Sequence, residues 1–243
     1  MEPVAENVKR VRERIGAAAA RCGRSPDLVR LVAVTKTVDA SRIRAALAAG
    51  IEEIGENYLQ EALLKLAELR GHAVIRHFIG HLQRNKVARA VAWFDMIQCV
   101  DSEPLARAIG RHAAARGRVM ETLLEVNVAG EASKSGIAPN ALVSAARAIA
   151  ALPSLHLEGL MTVAPLVDDP EAVRPVFRQM RALRETLQAE VPVGADGGWP
   201  ELSMGMTDDF EVAIEEGATL VRIGRAIFGE RPPLGTPSAT TRA

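Results

Sequence analysis

The 243-residue chain carries 30 Lys plus Arg against 30 Asp plus Glu, so bulk charge draws it neither to nucleic acid nor to an acidic membrane surface. No run approaches the ~18 apolar residues of a membrane span, and a hydrophobic fraction of 48% suffices for the core of one large domain. These bounds favour a single-domain protein with a small-molecule partner.

The first segment, Glu2 to Cys22, places charged and small apolar residues at helical spacing and lacks the apolar run and cleavage site of a signal peptide. A helix ahead of the first strand is expected there, lying on the outside or lower end of the fold. Short β-branched runs then recur in order: "RLVAVTK" (30–36), "IEEIGEN" (51–57), "RHFIGH" (76–81), "DMIQCV" (95–100), "ETLLEVNV" (121–128), "LEGLMTV" (157–163), "ELSMG" (201–205) and "LVRIG" (220–224). Segments such as "DASRIRAALAAG" and "SEPLARAIGRHAAARG" lie between them, with apolar residues every three or four positions and a closing glycine. Start signals support those helices: Asp101-Ser102-Glu103-Pro104, and Thr207-Asp208-Asp209 ahead of "FEVAIEEG".

Eight strand–helix units predict an α/β fold, a single (β/α)8 TIM barrel over residues 1–230 with the extra N-terminal helix, against the alternative of an open doubly wound sheet. "VPVGADGGWP" reads as a long irregular loop, and residues 231–243 as a mobile tail. Cys22 and Cys99 lie far apart without metal-ligand spacing, Cys99 reading as core, which suits a reduced, cytoplasmic protein.

In such a barrel the chemistry sits at the C-terminal ends of the strands. Lys36, Glu56-Asn57, His81, Asn127, Ser203 and Arg222 are expected to converge on that mouth. A lysine ending an apolar strand is partly desolvated, which favours the neutral amine that attacks a carbonyl. The alternative is an ion pair with a carboxylate such as Glu56. "ELSMGMTDDF" and "LVRIGRAIFGE" each pass through a glycine into a helix start, offering Ser203, Thr207 and the amides after Gly205 and Gly224 to a phosphate. Once the barrel closes, strand eight neighbours strand one. An aldehyde bearing a phosphate satisfies both features, and pyridoxal 5'-phosphate is the candidate.

Other polar groups read as structural: His77 and His81 as hydrogen-bonded core or rim, and Lys134 as a solvated or phosphate-steering loop residue. Met161, Met204 and Met206 read as packing. "QRNKVARA" is basic but has no interleaved aromatics, which argues against nucleic-acid binding.

The segments "AVTKTVDASRIRAALAAGIEEIGENYLQEA", "HFIGHLQRNK", "LLEVNVAGEASKSGI", "LEGLMTVAP" and "ELSMGMTDDFEVAIEEGATLVRIGRAIFGER" resemble the pyridoxal phosphate homeostasis protein family, also called the proline synthase co-transcribed homologues, over nearly the whole chain. The resemblance implies the barrel of alanine racemase without its second domain, and Lys36 carrying the cofactor as an internal aldimine. It further implies Asn57 near the ring, Ser203, Gly205, Thr207 and Gly224 around the phosphate, and Arg222 at the pyridine nitrogen. Arg225 stands where that family usually has a small hydroxyl residue, which puts one phosphate contact in question. The implied role is a non-catalytic, monomeric carrier or buffer with apo pyridoxal-phosphate enzymes as possible recipients. The alternatives are an amino-acid racemase-like enzyme, for which the single tyrosine, Tyr58, is a poor second base, and an aldolase-like barrel acting on a sugar phosphate.

Overall fold

The computed structural model describes residues 3–131, 134–193 and 198–230. The expected tail, 231–243, and part of the loop before Trp199 lie outside the described residues. Eight parallel strands, β1 (Arg30–Val34), β2 (Glu53–Glu56), β3 (Ile75–Phe78), β4 (Met96–Val100), β5 (Met120–Glu125), β6 (Leu155–Met161), β7 (Glu201–Ser203) and β8 (Leu220–Ile223), pair in sequence order and close into a barrel. Closure is direct: Val32 pairs with Arg222 and Ala33 with Ile223. All eight expected strands are present, and this pairing rules out the open sheet.

Seven helices and one short terminal helix follow the strands: α2 (Ala40–Ala48), α3 (Leu59–Glu68), α4 (Val87–Trp93), α5 (Glu103–Ala114), α6 (Leu142–Ala150), α7 (Arg174–Glu190), α8 (Phe210–Glu215) and α9 (Arg225–Phe228). The leading helix, α1 (Val4–Arg21), buries Val8, Val11, Ile15, Ala18 and Ala19. That spacing is one helical stripe, and it packs on the outside of the barrel against α2, α8 and α9. Asn7 Nδ2 donates to the Ile227 carbonyl at 3.0 Å, and the Arg14 guanidinium lies 4.6 Å from the centre of the Phe210 ring. The helix thus covers the seam where the last strand meets the first.

Strand alternation divides each strand between two environments. Ala33, Ile54, Phe78, Ile97, Val221 and Ile223 belong to the apolar layer between sheet and helices. Their neighbours along the strands, Val32, Gly55, His77, Gln98 and Arg222, face the barrel's inside. Branched aliphatic side chains usually fill that interior. Here Glu53, His77, Gln98, Ser203 and Arg222 are all buried.

The strands stop short of the runs that signalled them. β1 ends at Val34 because Thr37 adopts φ 61°, a left-handed conformation that a β-branched residue rarely takes and no strand can contain. Gly159 marks the tightest approach in the sheet: a Cβ there would lie 1.9 Å from the Glu201 carbonyl oxygen on β7. Neither backbone can give way without breaking the β6–β7 ladder, in which Gly159 pairs with Glu201. Gly159→Ala is therefore expected to cost about 2–3 kcal/mol, measured as a lowered urea midpoint at unchanged slope.

Candidate functional site

The turn after β1 carries Lys36 and is fixed from below by a buried ionic cluster. Lys65, on the inward face of α3, donates from Nζ to the Thr35 carbonyl at 2.6 Å and pairs with Glu56 Oε1 at 2.7 Å and Glu61 Oε1 at 2.6 Å. Glu61 Oε1 also accepts the Thr37 amide at 2.5 Å, and Thr35 Oγ1 donates to Glu56 Oε1 at 2.6 Å. Both residues flanking Lys36 are thereby held by side chains from β2 and α3, which sustains the strained Thr37 backbone. Burial pushes the Glu56 carboxyl up, opposed by Lys65 and Thr35. Glu56, expected as a rival partner for Lys36, has its Oε1 engaged by Lys65 and Thr35. Lys65 escaped the sequence reading, although Glu61 four residues earlier on the same helix was a visible signal.

Lys36, Asn57, Thr207, Arg222, Gly224 and Arg225 line one cavity of 620 Å³ at the C-terminal mouth, together with Val34, Ile79, Lys134 and Met206. The volume is within the range of small-molecule sites. Asn57 Oδ1 is buried without a hydrogen-bond partner, so an acceptor in the wall of this cavity is unused. Gly80 packs on Asn57 so closely that a Cβ would lie 2.3 Å from its carbonyl oxygen. That contact fixes the Asn57 backbone.

Arg222 lies in the floor, buried, donating from one terminal nitrogen to Ser203 Oγ at 2.7 Å and from the other to the Thr162 carbonyl at 2.7 Å. Burial lowers its pKa to about 10, with Asp209 and Glu125 opposing, so it stays cationic at neutral pH. Burial also raises Glu125 to about 7, with Asp101 adding to the rise and Arg222 opposing it.

The structure redistributes the expected phosphate set. Ser203 does not line the cavity; its hydroxyl donates to Gln98 Oε1 at 2.7 Å beneath Arg222. Gly205, at φ 93°, shapes the turn by accepting the Arg222 amide at 3.0 Å. The next amide, of Met206, is taken by Asp209 Oδ1 at 2.6 Å. Asp209 thus reaches back to the turn instead of capping α8. The guanidinium of Arg225 is paired with Asp208 and lies 3.8 Å from Glu230. Of the expected phosphate set, Thr207, Gly224 and Arg225 line the cavity, beside Met206 and Asp208. There the α9 turn begins with Ile227 and Phe228 donating back to the Gly224 carbonyl, and first-turn amides have no intrahelical acceptor.

Asn127 and His81 stand apart from the lining. Asn127 Nδ2 binds the carbonyls of Glu131 and Lys134, bracing the loop after β5, while His81 Nδ1 lies 3.2 Å from Ser135 Oγ. Lys134 reaches the cavity paired with Glu131 Oε1 at 2.6 Å. Tyr58, 48% exposed, does not line it.

The family described as "Alanine racemase, N-terminal domain" matches residues 4–232. The "Pyridoxal phosphate homeostasis protein" of Aquifex aeolicus is 43% identical over 226 residues, spanning 93% of this chain and 97% of that protein. Its namesake from Pseudomonas aeruginosa is 43% identical over 239 residues, 98% of this chain and 100% of its own. Among solved structures, PipY of Synechococcus elongatus PCC7942 with PLP bound superposes with a TM-score of 0.78 at 37% identity, covering 90% of this chain and 100% of PipY. The chain belongs to the alanine racemase N-terminal-domain family and, within it, to the pyridoxal phosphate homeostasis proteins.

Glu125 gives the site a pH signature. A carboxyl raised from 4.5 to about 7 in the folded state contributes stability that is complete below the unfolded value and lost as pH rises through the folded one. Glu125→Gln removes the ionisation. Relative to the parent protein, the variant is expected to gain about 1–3 kcal/mol between roughly pH 5 and pH 8, read from urea unfolding at both values.

Proposed function

We propose that the chain binds pyridoxal 5'-phosphate at Lys36 and acts inside the cell as a carrier or buffer of that cofactor without turning over a substrate. The observation that carries this reading is the meeting of an amine, a buried cation and an unused buried acceptor in one cavity, namely Lys36, Arg222 and Asn57 Oδ1. Pyridoxal phosphate supplies an aldehyde for an amine, an aromatic nitrogen and a phosphate dianion, and the residues present fit each part. Lys36 holds the aldehyde carbon, Arg222 serves the ring nitrogen, and Thr207 with the chain at Gly224 and Arg225 holds the phosphate. Ser203 acts one step back, through Arg222.

The same residues favour storage over catalysis. Arg222 is only a donor, so a ring nitrogen facing it is kept as an unprotonated acceptor and the ring stays a weak sink for carbanion charge. Racemisation needs an acid/base on each face of the substrate carbon. The described lining has no histidine or tyrosine, its other amine, Lys134, is paired with Glu131, and its remaining carboxylate, Asp208, is paired with Arg225. The rim, where Leu166 is 87% exposed, is open to water, which suits an exchangeable cofactor better than a reaction that must exclude solvent. No described helix is long and apolar enough to cross a membrane.

Two measurements test this reading. Borohydride should fix pyridoxal phosphate to Lys36 and leave Lys36→Ala unlabelled; label found mainly on another lysine would refute the assignment. Phosphate-free pyridoxal should bind more weakly than its phosphate. Thr207→Val should cost about 1–3 kcal/mol of affinity for the phosphate form, as expected for a lost bond to a charged group, with little effect on pyridoxal.

A further inference from the structure

The barrel interior holds a line of polar side chains from its N-terminal end to the floor of the cavity. At the lower end Arg30 binds Glu53 through two bonds, Nε to Oε1 at 2.7 Å and a terminal nitrogen to Oε2 at 3.0 Å, and it reaches Glu201 Oε1 at 2.8 Å. Glu53 Oε2 lies 2.9 Å from His77 Nε2, a charge contact out of line for a hydrogen bond, and His77 Nδ1 lies 2.9 Å from Gln98 Nε2. Gln98 Oε1 then accepts from Ser203 Oγ, which accepts from Arg222. His77, Gln98 and Ser203 are fully buried, so no water completes their bonding from outside.

The donor and acceptor inventory gives this line one direction. Burial alone would raise the Glu53 carboxyl, but His77 and Arg30 hold it below the usual carboxylate range, so it is ionised and can only accept. A lone pair on His77 Nε2 would be repelled by this carboxylate at 2.9 Å, so Nε2 carries the ring hydrogen and Nδ1 keeps the lone pair that faces Gln98. Gln98 must turn its NH2 group toward that lone pair and its carbonyl toward Ser203. The Ser203 hydrogen is then committed to Gln98, and an oxygen lone pair is left for Arg222. Reversing Gln98 would set its NH2 against Ser203 and turn the serine hydrogen toward a guanidinium that has nothing to accept it.

We propose that His77 and Gln98 are positioning residues for Arg222, forming a hydrogen-bond chain of fixed direction that is oriented by the Glu53–Arg30 pair at the opposite end of the barrel. The consequence for ligand binding rests on the reading given above, in which Arg222 faces the ring nitrogen of pyridoxal phosphate. The chain holds the guanidinium by its far edge and leaves its remaining N–H groups for the cavity. A loosened guanidinium would let solvent reach the ring nitrogen.

Two arms test this. In cofactor-free protein labelled with 15N-histidine, His77, assigned by comparison with His77→Gln, should carry a proton on Nε2 and none on Nδ1. Gln98→Glu replaces the NH2 donor by an acceptor and should place protons on both His77 nitrogens. A His77 protonated on Nδ1 in the parent protein, or unchanged in Gln98→Glu, overturns the proposal. In the second arm, Gln98→Met loaded with pyridoxal phosphate should still be fixed at Lys36 by borohydride. Its affinity should fall about tenfold, as for one weakened bond to a charged group, and its visible band should gain a pH dependence that the parent lacks. If Gln98→Met does not fold, His77→Gln serves in its place. Unchanged affinity and an unchanged band in a folded variant refute the positioning role. Failure of the parent protein itself to bind pyridoxal phosphate would strike the functional reading instead, while the histidine spectra would still decide the direction of the chain.

Discussion

The pairing of β1 with β8 is the constraint on which the site depends. It sets Val32 beside Arg222, and so brings a lysine near the start of the sequence to a cation and a glycine turn near its end. Such a contact closes a very long loop, and its entropic cost must be met by burial along the seam. The leading helix supplies that burial, laying one apolar stripe over α2, α8 and α9. In this barrel, the element that looks least connected with the chemistry keeps its two halves together.

A second constraint comes from inside. A buried guanidinium is costly unless it finds acceptors, and a half-satisfied polar network is worse than an apolar core. Arg222 is tolerated because Ser203, the Thr162 carbonyl and the carboxylates of Asp209 and Glu125 surround it. The polar interior follows from that requirement: once Ser203 is committed to Arg222, Gln98 must serve Ser203, and His77 must serve Gln98. The line ends only at Arg30, which binds the buried Glu53 and is itself part-exposed at the lower end. A barrel that needed only to be stable would fill this space with aliphatic side chains.

The strands, their order and the mouth residues Lys36, Asn57 and Arg222 were legible because they follow from alternation and from the position of strand ends. Depth within the barrel was not. "ELSMG" shows that Ser203 points inward, but β7 is three residues long and Ser203 pairs with Leu220, two residues before Arg222, so the serine lies below the cavity. The long arginine side chain reaches down to it. The amide after Gly205 looked available for the same reason: a sequence shows a glycine before a helix, but not that Asp209 turns back to take the Met206 N–H. His77 and Gln98, each reasonable as core when read singly, acquire a role only when three-dimensional register sets them in contact.

The clamp around Lys36 and the line behind Arg222 divide the work of the site. Lys65 and Glu61 hold the backbone on both sides of Lys36 and sustain the left-handed Thr37, so the amine is presented from a rigid turn. Arg222 is fixed from the opposite wall. For the cofactor proposed above, a preorganised pair lowers the ordering cost of binding, and an open rim would leave the attachment reversible by water. Tight holding by rigid groups together with free access for hydrolysis is the combination a cofactor reservoir requires.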